Sequence, residues 1–360
     1  MITVMHIVGA RPNFMKAAPV LRAMREKGGF SQTLLHTGQH YDRNMSQVFF
    51  EELGLPQPDI NLEVGSDSHA VQTAKIMQRF EPVAKELSPD WVLVYGDVNS
   101  TLACALVCSK LLIRVGHVEA GLRSYDRSMP EEINRLLVDQ ISDVLFTPSR
   151  DAGENLLGEG VSGARIQFVG NVMIDTLKHL KQRAEQRWEG LCRRLGLGRY
   201  ILVTLHRPTN VDHPDRLKAL LRALNEVAAD IEVLLPIHPR TQSRIDEYGL
   251  SPLLSAVRLL EPVGYLDFLA LQSHASLVVT DSGGMQEETT FLGVPCLTVR
   301  PGTERPVTLE QGTNRLFNAH PHLLSGEIKH RLSEPRIERR PPELWDGRSA
   351  IRIAEILAEA

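Results

Sequence analysis

Short apolar runs recur along the whole chain, and most are continuous rather than alternating with polar residues. They occupy residues 2–8, 33–37, 91–95, 114–118, 144–147, 166–169, 201–205, 233–237, 276–280 and 296–299. Continuous runs of this length are typical of strands buried on both faces of a parallel sheet. Segments with helical periodicity lie between them, such as 131–142, whose apolar residues share one helix face. The alternation predicts an α/β fold with doubly wound parallel sheets.

The length of 360 residues suggests two domains. A charged stretch at 178–194 separates one strand–helix series from a second that begins at Tyr200. We expect an N-terminal Rossmann-like domain over 1–172 and a C-terminal one over 173–345. A final helix within 346–360 can return to the first domain.

Composition narrows the class of protein. With 42% hydrophobic residues and a formal charge of −4, the chain is neither disordered nor built to wrap nucleic acid. No apolar run reaches the roughly 18 residues of a membrane helix, and residues 1–10 read as a strand rather than a signal peptide. The 4 cysteines do not suggest a disulfide framework. We expect Cys104 and Cys108 to be buried core residues rather than metal ligands. We expect a cytoplasmic protein without metal, membrane or nucleic-acid partners.

In doubly wound sheets, ligands bind at the carboxyl ends of the strands. After the first run, Arg11 and Lys16 flank the start of a predicted helix. Two cations beside helix N–H groups predict an anion site, the alternative being two solvent-facing cations on a loop. No G-x-G-x-x-G motif occurs here, so a dinucleotide cofactor is not indicated.

Carboxylates follow the next strands of the same predicted sheet. Asp97, Glu119 and Glu131 come from consecutive strand-end loops, with Arg123 at the same edge. Alone, Asp97 could cap a helix and Glu131 could interact with a helix dipole. Together, the three carboxylates are candidates for general acid and base.

Neutral and cationic donors follow the strands of the second half. His206 and Arg207 are suited to anionic oxygen, and His238 follows the next strand, although a histidine there can also be a core residue or a cap.

A small-residue turn comes later in this half. Ser282, Gly283 and Gly284 would expose backbone N–H groups to a diphosphate, and Glu288 would accept hydrogen bonds from ribose hydroxyls. The alternative is a purely structural turn. Arg305 follows a further strand.

These segments together resemble one family. The motifs GARPNFMK, GQH, YGD, VGHVEAGLRS, PEEINR, LHRP, PIHPR, TDSGGMQEE and TERP, in this order over residues 9–306, are similar to the UDP-N-acetylglucosamine 2-epimerases, especially the non-hydrolysing branch. The resemblance implies a glycosyltransferase-B-like architecture with the active site in the interdomain cleft, UDP on the C-terminal domain and the sugar facing the N-terminal domain. It also implies a homodimer and no cofactor.

Roles follow from the resemblance, position by position. Asp97, Glu119 and Glu131 correspond to acid–base carboxylates and His206 to a catalytic histidine. Arg11 and Lys16 correspond to phosphate-side cations, and the UDP-binding positions correspond to Ser282, Gly283 and Glu288. The chain departs from the pattern at residues 41–44, after Gln39 and His40, and at Pro208. Bacterial members often bind an activating second UDP-sugar in these regions, so the resemblance does not extend to that site.

The implied reaction interconverts UDP-N-acetylglucosamine and UDP-N-acetylmannosamine through elimination of UDP and its re-addition. Three alternatives stay open. They are a hydrolysing epimerase that releases N-acetylmannosamine, a retaining glycosyltransferase and a UDP-sugar sensor without activity.

Overall fold

A computed structural model describes residues 1–39, 52–335 and 340–359 of the chain. His40 and the departure at 41–44 therefore lie outside the described residues. The described part contains two parallel sheets with helices between successive strands, which confirms the predicted α/β class.

The first sheet contains seven strands within the described residues, in the order β3-β2-β1-β4-β5-β6-β7. Its strands are β1 (Ile2–Val8), β2 (Phe30–His36), β3 (Ile60–Asn61), β4 (Trp91–Tyr95), β5 (Arg114–Val118), β6 (Val144–Thr147) and β7 (Ile166–Phe168). The helices of this part are α1 (Arg11–Lys27), α2 (His69–Leu87), α3 (Asn99–Leu111), α4 (Pro130–Ile141), α5 (Arg150–Gly158) and α6 (Val172–Leu195), with a 3-10 turn at Gly163–Arg165. Every residue of β4 is buried, as its uninterrupted apolar run predicts.

The second sheet contains six strands within the described residues, in the order β10-β9-β8-β11-β12-β13. Its strands are β8 (Tyr200–Thr204), β9 (Glu232–Pro236), β10 (Arg258–Leu260), β11 (Leu277–Thr280), β12 (Cys296–Thr298) and β13 (Asn314–Leu316). The remaining helices are α7 (Pro208–Val211), α8 (Pro214–Val227), α9 (Pro239–Glu247), α10 (Tyr265–His274), α11 (Gly283–Leu292), α12 (Val307–Glu310), α13 (Leu324–Ser333) and α14 (Ser349–Glu359), with 3-10 turns at Ser251–Leu254 and Pro321–Leu323.

The chain divides into two compact units, each with its own sheet and apolar core. Unit 1 comprises Met1–His179 and Glu343–Ala360, and unit 2 comprises Leu180–Pro342. The division falls inside α6, whereas the boundary predicted from sequence lies at 172/173. In the described residues, no helix is both long and apolar enough to cross a membrane.

The C-terminal segment is anchored within unit 1. The Trp345 indole N–H donates to the Pro148 carbonyl at 2.9 Å, and α14 packs against α1. The first turn of α14 is capped from α6, because the Ala350 N–H donates to Asp175 Oδ2 at 2.7 Å. Gly170 (φ +88°) is required nearby, since a Cβ there would lie 2.1 Å from the Leu344 carbonyl oxygen.

Because Asp175 caps α14 from a buried position, we expect the stability of the protein to depend on pH. Burial raises the pKa of Asp175 from 3.8 to about 6, against the opposing effect of N–H donors at Ala350 and Ser349. Because the folded-state pKa is raised, the stabilisation from protonated Asp175 is present below pH 3.8 and is lost as pH rises through about 6. We expect the unfolding free energy of D175N minus that of the wild type to rise by roughly 2–3 kcal/mol from pH 4 to pH 7. Urea denaturation at each pH measures this difference. D215N, at an exposed position, is the control, and a wild-type minus D175N difference that does not vary with pH contradicts the expectation.

Candidate active site

A buried ion pair lies at the carboxyl end of the first sheet. Lys16 Nζ is 2.7 Å from Glu119 Oε2, and the two side chains are only 6% and 3% exposed. The turn from β1 into α1 places Lys16 there, because Asn13 Oδ1 accepts from the N–H groups of Gly9 and Ala10 at 3.0 Å each. Arg11, by contrast, is exposed at the first position of α1. The two cations predicted from the sequence therefore have different environments.

Asp97 lies next to this pair. Gly96 has φ +65°, and a Cβ at that position would lie 2.6 Å from Lys16 Nζ, so the ammonium group packs directly on the backbone that precedes Asp97. Arg135 of α4 holds the carboxylate, donating from Nε at 3.0 Å and from Nη2 at 2.6 Å to Asp97 Oδ2. The Asp97 side chain is 25% exposed and can reach a ligand.

Glu119 has an unusual backbone conformation. Its φ is +72°, a left-handed value that costs a non-glycine residue roughly 1–3 kcal/mol. The N–H groups of Glu119 and Ala120 both donate to the Phe146 carbonyl at 3.1 Å, which holds the loop in place. Strain of this kind is concentrated at functional sites, so the backbone itself supports Glu119 as a functional residue.

Glu131 and Glu132 begin α4 but have different surroundings. Glu132 is buried and accepts from the N–H groups of Ser124 and Tyr125 and from Arg135 Nη1, which is a structural role. Glu131 is half-buried and has no hydrogen-bond or ion-pair partner within the described part of the chain. It shares a helix face with Arg135 four residues later, and Arg135 contacts Asp97. The structure therefore brings Lys16, Asp97 and Glu119 together and places Glu131 on the helix that holds Asp97.

The Arg123 side chain forms ion pairs with other residues of unit 1. It is 2% exposed and forms a paired contact with Glu159, in which Nε and Nη2 each lie 2.7 Å from a carboxylate oxygen. Its Nη1 lies 2.7 Å from Asp139 Oδ2. A substrate contact would require breaking these buried ion pairs, so we leave Arg123 out of the binding residues proposed below.

Sequence reasoning missed the buried pair of His117 and Asp139. His117 Nδ1 lies 2.7 Å from Asp139 Oδ1, and His117 Nε2 lies 2.8 Å from the Gly96 carbonyl oxygen. Burial acts to raise the pKa of Asp139, but His117 and Arg123 outweigh it and hold that pKa below its usual value. Asp139 thus has two basic side chains, His117 and Arg123, beside its carboxylate inside the unit.

Unit 2 contains a histidine–aspartate pair at the carboxyl ends of β8 and β11. His206 Nδ1 lies 2.9 Å from Asp281 Oδ1, with the aspartate fully buried and the histidine side chain 36% exposed. Asp281 Oδ2 also accepts from the Arg207 N–H at 2.9 Å and from Asn210 Nδ2 at 3.0 Å. Burial acts to raise the pKa of Asp281, but these donors, His206 first among them, lower it below its usual value.

This pairing decides how His206 can act. Since Nδ1 faces Asp281, Nε2 is the ring nitrogen that can reach a ligand. The His238 ring is centred 5.3 Å from the His206 ring, and His238 Nδ1 accepts from the Arg240 N–H at 3.2 Å, which caps α9. Arg207 is half-buried, and its Nε donates to the Asp281 carbonyl at 3.1 Å.

The predicted small-residue turn forms the N-terminus of α11. Ser282 precedes the helix, and Gly283 and Gly284 are its first residues. Glu288, one turn later, is 4% exposed and accepts from the Tyr265 hydroxyl at 2.8 Å. Arg305 lies behind the helix start, where its Nε is 2.9 Å from Glu287 Oε1 and its Nη1 contacts Glu304. Within the described residues, no group of three or more His, Cys, Asp or Glu is arranged to hold a metal ion.

The comparison with known proteins agrees with these motifs. A family model described as UDP-N-acetylglucosamine 2-epimerase matches residues 22–358. The chain belongs to this family.

Two relatives have the same level of identity but different names. The chain is 43% identical over 361 residues to the UDP-N-acetylglucosamine 2-epimerase of Methanococcus maripaludis, covering 98% of this chain and 97% of that protein. It is also 43% identical over 359 residues to the UDP-2,3-diacetamido-2,3-dideoxy-D-glucuronate 2-epimerase of Pseudomonas aeruginosa, covering 99% of each. A crystal structure of the Methanocaldococcus jannaschii UDP-GlcNAc 2-epimerase with UDP-GlcNAc and UDP matches over 100% of both chains, with a TM-score of 0.92 and 43% identity.

Gly283 gives a direct test of the α11 N-terminus in this family member. A Cβ at Gly283 would lie 2.6 Å from Arg305 Nη1 and 2.7 Å from Glu304 Oε1, so G283A must displace a buried ion pair. Overpacking of this kind costs roughly 1–3 kcal/mol. We expect G283A to raise the Kd for UDP at least tenfold in isothermal titration calorimetry. G326A, whose Cβ would meet nothing within 4 Å, is the matched control. Wild-type UDP affinity in G283A would show that this helix start does not contact UDP.

Proposed function

We propose that this protein interconverts UDP-N-acetylglucosamine and UDP-N-acetylmannosamine without net hydrolysis. The observation that carries the proposal is the buried Lys16–Glu119 pair beside Asp97, at the edge of the sheet where ligands bind. It supplies two carboxylates close together, one to remove the C2 proton and one to return a proton to the opposite face. Family membership and the relatives named UDP-N-acetylglucosamine 2-epimerase support the choice of reaction.

The chemistry explains the need for carboxylates. C2 of the sugar is not adjacent to a carbonyl group, so its proton is only weakly acidic. As the C1–O bond breaks, its electron pair leaves with UDP and C1 becomes electron-poor. A carboxylate then takes the C2 proton, and the C2–H electron pair forms the C1=C2 bond of 2-acetamidoglucal. Protonation of C2 from the opposite face and attack of the UDP oxygen on C1 give the manno epimer.

Residue roles follow from this scheme. One carboxylate among Asp97, Glu119 and Glu131 removes the C2 proton, and another delivers a proton to the opposite face. His206 Nε2 contacts the diphosphate as negative charge develops on departing UDP, with Asp281 holding the ring. Further binding positions in the proposal are Arg11, Lys16, Arg207, His238, Ser282, Gly283, Gly284, Glu288 and Arg305.

The two halves of the chain have different roles in this proposal. Residues 1–172 supply the acid–base groups, and residues 173–345 supply most of the UDP ligands. We expect no cofactor, because elimination followed by re-addition leaves the oxidation state of the sugar unchanged. From the family resemblance we also propose a cytoplasmic homodimer that serves polysaccharide biosynthesis. Light scattering on the purified protein tests the dimer.

A second substrate is favoured by one specific observation. The Pseudomonas aeruginosa relative, named for UDP-2,3-diacetamido-2,3-dideoxy-D-glucuronate, is as similar to this chain as the Methanococcus maripaludis relative is. The C2 chemistry would be the same for both sugars, so the acid–base residues do not distinguish them.

The products of each sugar nucleotide test the proposal. We would incubate the protein with UDP-N-acetylglucosamine or the diacetamido glucuronate and identify products by ¹H and ³¹P NMR. Accumulation of UDP-N-acetylmannosamine is the expected result. UDP with free N-acetylmannosamine would indicate the hydrolysing reaction, and turnover of the glucuronate alone would assign the second substrate. Recovery of both compounds unchanged contradicts the proposed activity.

A further inference from the structure

His117 is fully buried in unit 1, yet both its ring nitrogens face hydrogen-bond acceptors. Nδ1 is 2.7 Å from the Asp139 carboxylate and Nε2 is 2.8 Å from the Gly96 carbonyl. A carbonyl oxygen can only accept, and Asp139 is kept ionised by Arg123 Nη1 at 2.7 Å. With a single ring proton, one nitrogen lone pair would point at an oxygen lone pair in a buried site, which is costly. Donation from both ring nitrogens of His117 would satisfy both acceptors.

The two hydrogen bonds of His117 end on the two loops that carry candidate carboxylates. The Gly96 carbonyl belongs to the peptide group that joins Gly96 to Asp97, and the Gly96 N–H donates to the Val118 carbonyl at 3.0 Å. On the other side, Asp139 Oδ2 accepts from the Gly121 N–H at 3.1 Å, two residues after Glu119. One buried pair thus links the loop of Asp97 to the loop of Glu119.

The backbone conformation of the two loops shows why their link through His117 and Asp139 matters. Gly96 and Glu119 both have left-handed backbone conformations, at φ +65° and φ +72°. For a non-glycine residue such as Glu119, this conformation persists only where surrounding contacts determine it. A displacement of about 1 Å in a reacting group can cost on the order of 100-fold in rate. The His117 bond to Gly96 acts on Asp97 through the backbone.

We propose that His117, donating from both ring nitrogens to Asp139 and to the Gly96 carbonyl, is a positioning residue that sets Asp97 relative to Glu119 for proton transfer at C2. This proposal rests on the proposed function. His117 itself contacts neither the sugar nor UDP; it acts by fixing the Gly96–Asp97 peptide.

Two substitutions separate the two hydrogen bonds. The amide nitrogen of glutamine can occupy the position of Nε2, so H117Q can keep the bond to Gly96. The amide nitrogen of asparagine can occupy the position of Nδ1, so H117N keeps the bond to Asp139 and loses Gly96. We expect kcat per UDP-binding site to fall roughly tenfold in H117Q and roughly 100-fold in H117N, with KM changing less than about threefold. A role in stability alone would lower the number of UDP-binding sites and leave kcat per site unchanged.

A spectroscopic measurement tests the donor geometry without activity. In wild-type protein labelled with ¹⁵N-histidine, His117 should show two slowly exchanging ring N–H protons, assigned by their absence in H117Q or displacement in D139N. A single ring N–H overturns the proposal, as does an H117N kcat per site equal to that of H117Q or of the wild type. If the wild type fails to epimerise either sugar nucleotide, the proposed function fails, while two ring N–H protons would still establish the double-donor geometry.

Discussion

E119Q should lower kcat for C2 epimerisation roughly 10²- to 10⁴-fold, the usual contribution of a general acid or base. The amide keeps the size of the carboxylate and can still accept a hydrogen bond from Lys16, whose Nζ lies 2.7 Å from Glu119 Oε2. It cannot take a proton from carbon. Affinity for UDP should change less than about threefold, because the UDP ligands proposed here lie mainly in unit 2. D97N should behave in the same way.

The measurement is initial-rate kinetics on UDP-N-acetylglucosamine, together with calorimetric titration of UDP. E154Q, at an exposed position on α5, is the control and should match the wild type. Turnover by E119Q within threefold of the wild type would show that Glu119 transfers no proton at C2. Weak UDP binding with normal turnover at saturation would instead place Glu119 among the UDP ligands.

D281N should lower kcat by a similar factor, roughly 10²- to 10⁴-fold. In the Ser-His-Asp triad of serine proteases, the corresponding aspartate-to-asparagine change costs about 10⁴-fold, and that aspartate both orients the histidine and stabilises positive charge on its ring. Here the amide NH₂ can turn toward His206 Nδ1, which lies 2.9 Å from Asp281 Oδ1 in the wild type. His206 Nε2 could still donate to the diphosphate, but the ring would lose the carboxylate that stabilises positive charge on it as UDP departs.

The control for this prediction must separate orientation of the ring from folding of the loop. Asp281 also accepts from the backbone N–H of Arg207 and from Asn210, so thermal melting of D281N should be recorded beside D230N, an exposed aspartate. If His206 and Asp281 act as a unit, the double variant H206N/D281N should be no slower than H206N. Additive losses, or a D281N protein with wild-type kcat, would exclude the paired role.

The strands that could be predicted are those whose burial on both faces demands continuous apolar sequence. The runs at 2–8, 91–95, 114–118 and 144–147 coincide with β1, β4, β5 and β6. Three strands were missed, β3, β10 and β13, and each lies at a sheet edge with only two or three residues. An edge strand pairs on one side and needs little apolar sequence, so hydrophobic patterning carries almost no signal for it.

The candidate site shows the same division between local and long-range information. Strand-end positions could be read from the sequence, which is why Asp97, Glu119 and His206 were predicted as site residues. Counter-ions distant along the chain could not, since Asp139 is 22 residues from His117 and Asp281 is 75 residues from His206.

Two arginines, Arg123 and Arg305, also have counter-ions that the sequence does not reveal. Nothing in the sequence reveals Glu159 beside Arg123 or Glu287 beside Arg305. Arg305 stays a proposed ligand, whereas Arg123 is left out of the proposal because of its ion pairs. For Asp281 a signal was present, because it opens the DSGG turn immediately after β11.

Deuterium at C2 tests the central claim most directly. Wild-type protein and UDP-N-acetylglucosamine in D₂O should yield UDP-N-acetylmannosamine carrying deuterium at C2, because the carboxylate that delivers the proton exchanges with solvent. E119Q should show neither epimer nor deuterium above roughly one hundredth of the wild-type rate. UDP-N-acetylmannosamine that forms with only protium at C2 would contradict proton transfer by these carboxylates.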